Sequence, residues 1–124
     1  LLKPAPTKIN FNQKLALFEE QWSPKVIAEM NDYQFKLVRL QGEFVWHQHE
    51  DTDETFIVLE GELTIDLESG PVVLNAGEML VIPKGMRHRP RTVSEAKVLL
   101  VEPAGVVNTG DAKSELTAPQ DVWI

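Results

Sequence analysis

Residues 42–61 read GEFVWHQHEDTDETFIVLEG and residues 77–92 read GEMLVIPKGMRHRPRT. Both stretches are short apolar runs cut by turn residues. Thr55 to Leu59 is stopped by Glu60-Gly61, and Met79 to Ile82 by Pro83-Lys84-Gly85. Gly61 stands where a tight hairpin needs positive φ, and Gly85 where the backbone must turn sharply before His88. Pro83 lacks an amide proton, so it suits a strand end where no ladder bond is lost. His47 and His49 are two apart, so on a strand both imidazoles leave from one face. Glu54 shares strand parity with Phe56 and Val58, which places a carboxylate on an otherwise apolar face.

The same pattern continues on either side. Further strands are expected at Val26 to Met30, Tyr33 to Gln41, Phe44 to His49, Leu63 to Leu67, Val72 to Leu74, His88 to Val93 and Lys97 to Val101. Asn31-Asp32, Ser69-Gly70, Ala76-Gly77 and Ser94-Glu95 are the remaining breaks. Many short strands at this spacing, with no helices between them, predict an all-β fold, an antiparallel sandwich or barrel. Asn10 to Gln21 carries Leu15, Leu17 and Phe18 among polar residues, with Asn10 or Asn12 as N-cap, and reads as a short N-terminal helix or arm. The expected organisation is one domain over 1–124, with an arm at 1–24 and a tail at 103–124. That tail is polar but ends Asp121-Val122-Trp123-Ile124, so its apolar end should dock. Asn108-Thr109-Gly110-Asp111 reads as a turn.

The chain has 124 residues, 43% hydrophobic and 25% charged, an ordinary globular composition. It has no cysteine, which removes disulfides, thiolate metal sites and cysteine nucleophiles. Any metal must be held by nitrogen and oxygen. Twelve basic against 19 acidic residues give a net charge of −7, a field that repels nucleic acid and anionic membranes. No apolar run approaches the roughly 18 residues of a spanning helix, and no secretion signal opens the chain. The cytoplasm is the default expectation.

The three histidines all fall in the strand-rich block. Two imidazoles from one strand, with Glu54 and His88 from neighbouring ones, can converge on a single ion. Imidazole with carboxylate suits iron, manganese, nickel, cobalt or zinc. With every histidine committed, none is left to activate a serine nucleophile.

These stretches resemble the two motifs of the cupin superfamily. Residues 42–61 look like the first: a glycine, a histidine pair one residue apart, a glutamate and a closing glycine. Residues 77–92 look like the second, with Gly77, Pro83, Gly85 and His88 at the family's spacings. Gly42 is one residue nearer His47 than is usual, and Thr92 stands for an asparagine that is not a ligand. The resemblance implies an antiparallel jelly-roll β-barrel with one divalent transition metal ion inside, held by His47, His49, Glu54 and His88. It also implies a small-molecule substrate or ligand, as in dioxygenases, sugar isomerases or epimerases, decarboxylases and lyases that share this site. The enzyme reading stands against a non-catalytic, metal-loaded binding or sensing module.

Outside the motifs, Arg87, Arg89 and Arg91 are expected to point away from His88, as a charged outer face. Glu50, Asp51 and Asp53 are expected to form a solvated acidic loop beside the site. Phe44, Trp46, Ile57 and Leu59 are assigned to the face opposite the ligands. An apolar row of that kind needs covering by the arm, the Trp123-Ile124 end or a second subunit, and a homodimer is expected.

Overall fold

The computed structural model describes residues 4–124. After α1 (Phe11–Leu15) come seven strands: β1 (Lys25–Met30), β2 (Tyr33–Glu43), β3 (Glu54–Glu60), β4 (Glu62–Leu67), β5 (Gly70–Asn75), β6 (Met79–Ile82) and β7 (His88–Pro103). All pairings between these strands are antiparallel. One layer runs β1-β2-β7-β3-β6, and the other is β4 and β5 joined to the first part of β7. The result is the expected antiparallel jelly-roll barrel. Among the described residues no helix is long and apolar enough to cross a membrane.

The period-2 pattern builds this barrel directly. On β3, Glu54, Phe56 and Val58 are buried while Thr55, Ile57 and Leu59 are half-buried. On β4, Leu63 and Ile65 point inward. With Val38, Leu40, Val98 and Leu100 they form the interior core. Gly61 alone links β3 to β4, at φ 87°, and a Cβ there would stand 2.9 Å from Glu95 O.

A second apolar cluster lies outside the larger layer, where Ile27, Leu37 and Leu99 meet Leu15 and Phe18 of the arm. Ile9, Ile57, Leu59 and Ile124 complete it. The arm and the chain's end thus cover the row to which Ile57 and Leu59 belong. Ile124 N donates to Val26 O at 3.1 Å, and Val26 N to Val122 O at 2.7 Å. Arg39 holds the arm through Leu15 O and Phe18 O at 2.8 and 2.9 Å, with Glu95 Oε1 at 2.7 Å on its other nitrogen.

Three expectations are corrected, while the short N-terminal helix is present as expected, over Phe11–Leu15 and capped by the Asn10 side chain at 2.9 Å from Gln13 N. Arg39 captures the carbonyls of Leu15 and Phe18 that a longer helix would have used. Residues 44–49 are not a regular strand, because β2 leaves the ladder after a bulge between Leu40 and Gly42. Phe44 therefore faces inward with His47 rather than opposite it. Its ring stacks on Trp22 at 4.6 Å and meets the His47 ring edge-on at 5.3 Å. Finally, Ser94-Glu95 does not end a strand. β7 runs through it, pairing with β4 over His88–Arg91 and with β3 over Lys97–Val101. The two turn-forming residues mark where one strand passes between layers.

Candidate metal centre

His47 and His88 face each other across an antiparallel bridge, with His47 N donating to His88 O at 3.0 Å and His88 N to His47 O at 2.9 Å. Gly85 N donates to His49 O at 2.8 Å, and Lys84 N to Asp53 Oδ1 at 2.9 Å. The segment after β2 is thereby zipped to the turn before β7, and the two histidine-bearing stretches become one wall. Glu54, the first residue of β3, closes the group. All four residues are buried, and their donor atoms lie within 4.8 Å of one another.

The rings are already aimed. His47 Nδ1 lies 2.8 Å from Val45 O, and His88 Nδ1 lies 2.9 Å from Met86 O. A carbonyl only accepts, so each Nδ1 carries a proton, and Nε2 is the ring atom turned toward the donor group. Burial, then the neighbouring His88 ring, pushes the His47 imidazole down to about 4, so it is neutral at ordinary pH. Burial alone would push the Glu54 carboxyl up, but the His49 and His88 rings beside it outweigh burial and hold it well below the usual carboxylate range. Its oxygens lie 3.2 Å from His88 Nε2 and 3.4 Å from His49 Nε2.

This donor set fits a metal ion. His49 Nε2 is buried without a hydrogen-bond partner, an arrangement that costs about 1–3 kcal/mol unless something satisfies it. Metal–nitrogen bonds of about 2.0–2.1 Å place donors roughly 3–4 Å apart around one ion. The four residues are thus close to the spacing of donors around one ion. All four expected site residues come together here.

Beside them is a cavity of about 30 Å³, room for roughly two water molecules. Its walls include Trp22, Leu40, Phe44, Phe56 and Leu100, with His47 and Glu54 reaching it from the donor group. Sequence reasoning passes over three of its features. Trp22 comes from the arm, at φ 59°, and its Nε1 donates to Gln41 O at 3.0 Å. Glu102 is a buried carboxylate on the cavity wall, paired with Lys36 at 2.9 Å. Asn108 belongs to a turn, as expected, but also ties the tail to the arm, donating 2.9 Å bonds to Trp22 O and Leu116 O. Two residues on, Gly110 rests against Gln48 and the His47 ring.

The outer surroundings match their assignments. Asp66 binds Arg89 and Arg91 at 2.9 and 2.8 Å, and Arg89 lies over the Trp46 ring at 5.5 Å. Hydrogen bonding to Arg91 holds the Asp66 carboxyl down. Glu50, Asp51 and Asp53 are exposed.

Known proteins share this fold. A cupin-2 domain protein from Shewanella frigidimarina superposes with a TM-score of 0.76 at 60% identity, over 77% of this chain and 93% of its own. Protein NMB1881 from Neisseria meningitidis gives 0.72 at 34% identity, over 79% and 100%. Protein YdbB of Bacillus subtilis (strain 168) is 48% identical over 77 residues, 61% of this chain and 68% of that one. Residues 36–102, from within β2 to within β7, match the cupin domain family. With both histidine stretches on one wall of a jelly-roll barrel, the chain belongs to that family.

Proposed function

We propose that this chain is a small-molecule metalloenzyme using one divalent iron, manganese, nickel, cobalt or zinc ion held by His47, His49, Glu54 and His88. The observation that carries the reading is the donor group itself: buried, with two rings locked by Val45 O and Met86 O, and open to an apolar cavity. A metal held there supplies Lewis-acid or redox chemistry at a position left free by four protein donors. The chain's own residues do the rest. Val45 and Met86 fix the protons at Nδ1, and Trp22, Phe44 and Phe56 limit water around the site. Walls this apolar suit oxygen chemistry on a small aromatic or hydrophobic molecule better than isomerisation of a sugar, whose hydroxyls would need more polar partners.

Metal content of protein purified without added metal tests the reading. One equivalent per chain of one of these metals is expected, with iron favouring the oxygenase assignment and manganese or zinc the isomerase or lyase assignments. Protein that emerges empty and takes up none of the five at micromolar concentration would defeat it. A second reading, a non-catalytic binding or sensing module, is favoured by the small cavity and by the tail packed over it. Oxygen uptake by the iron-loaded protein in the presence of simple phenols separates the two, since the module consumes none.

The proposal includes a homodimer. Among the described residues β6 pairs with β3 alone, which leaves its other edge free. On it Met79 and Val81 are 55% and 47% exposed, beyond the reach of the arm. An uncharged apolar edge of this kind invites pairing with a second copy. Light scattering at micromolar concentration should give the mass of two chains, and Val81→Lys should give the mass of one. A native protein that scatters as one chain removes this part of the proposal.

A further inference from the structure

The inner cavity holds about 30 Å³, far below the roughly 300–1,000 Å³ of most small-molecule sites. A second space also meets the donor group. An open groove of about 610 Å³ is lined by residues 48–52 and by residues 103–107 with Gly110 and Asp111. The two stretches are joined at Gln48, whose N donates to Asp111 Oδ1 at 2.9 Å and whose O accepts from Asp111 N at 3.1 Å. Of the four donors, His49 alone borders this groove. It is 7% exposed, against 4% or less for His47, Glu54 and His88. Among the described residues its Nε2 is buried without a hydrogen-bond partner. The donor group is therefore most open on the groove side. A neighbouring groove of about 440 Å³, which carries Lys84 and Arg87, borders none of the donors.

The first groove has one sign of charge. Glu50, Asp51 and Asp111 are exposed along it, and among the described residues no lysine or arginine lines it. Protein walls concentrate the field of such charges in the space between them, and the chain's net charge of −7 adds to it.

We infer that this groove is the entrance to the metal centre, and that its carboxylates admit uncharged or cationic molecules and turn anions away. The inference rests on the proposed four-residue site and narrows its substrate class. A neutral phenol or an amine passes, while a carboxylate or a phosphate ester is held back.

The test is stopped-flow absorption of the cobalt(II)-loaded protein, with azide as the anionic probe and pyridine as the uncharged one. At low ionic strength, Glu50→Gln with Asp51→Asn should raise the association rate of azide about fivefold. Azide dissociation and pyridine association should each stay within about twofold of native, because steering acts on the encounter of a charged ligand. In about 0.5 M salt the gain for azide should shrink to about twofold or less. Glutamine at 50 keeps an oxygen to accept from Gln48 Nε2, as Glu50 Oε1 does at 3.3 Å. Glu19→Gln with Glu62→Gln removes the same charge from exposed positions outside the groove and should leave both probes at native rates. Equal azide rates in the native protein and the groove variant, or equal gains in the two double variants, would overturn the inference while leaving the metal site intact. So would a cobalt protein whose spectrum neither probe alters. A native protein that binds no cobalt would remove the site and the inference together.

Discussion

Protein carrying His49→Ala is expected to lose nearly all of its metal and to keep its barrel. Removing a ligand should exceed the roughly 10–100-fold cost of removing an outer partner, so dialysis against a weak chelator should leave it empty. The fold should survive because His49 lies outside the regular strands, and among the described residues its Nε2 makes no hydrogen bond, approaching only the Glu54 carboxylate at 3.4 Å. Its backbone carbonyl, which holds Gly85 N, is unaffected by the change. Losing a buried polar group with no partner costs the apoprotein little. Metal analysis beside a thermal melt checks both halves. A full equivalent of metal in the variant would remove His49 from the donor set.

The largest stability effect is expected at Gly61. Gly61→Ala places an L side chain at φ 87°, a strain of about 1–2 kcal/mol. It also sets the new Cβ 2.9 Å from Glu95 O and 3.1 Å from Ala96 Cα. Both are backbone atoms of β7, held by pairing with β2 and unable to step aside. Gly77 is the natural control, with φ 88° and no atom within 4 Å of an added methyl group. Gly77→Ala should show the strain alone, and Gly61→Ala about twice that loss or more, near 10 °C in Tm. Equal melting temperatures for the two variants would mean that contact with β7 adds nothing.

The barrel and its donor group are legible in the sequence because both rest on local chemistry. Alternation from Glu54 to Val58 decides which face is inside, and the positions of Gly61, Pro83 and Gly85 mark where strands stop. The errors arise where alternation itself breaks. Counting back from His47 assigns Phe44 outward, a step that the irregular backbone after Gly42 does not permit. Ser94-Glu95 reads as a turn because residues that favour turns also serve at a bend between layers. The buried pair leaves a trace that parity can catch. Lys36 shares its face with Val38 and Leu40, and Glu102 shares its face with Val98 and Leu100, so each is a charge on a core-facing position. Trp22 and Asn108 leave no such trace, since their roles depend on where the arm and tail meet in space.

The path of β7 has a consequence for how the molecule assembles. It pairs with β2, β3 and β4, and it supplies His88 at one end and Glu102 at the other. Most of the hydrogen-bonded scaffold therefore waits for the last strand in the chain, and contacts of such long sequence separation form slowly. Until that strand docks, His47, His49 and Glu54 have no fixed geometry to offer. Loading with metal during refolding should trail closure of the sheet, so that uptake of the proposed ion would time the final step of folding.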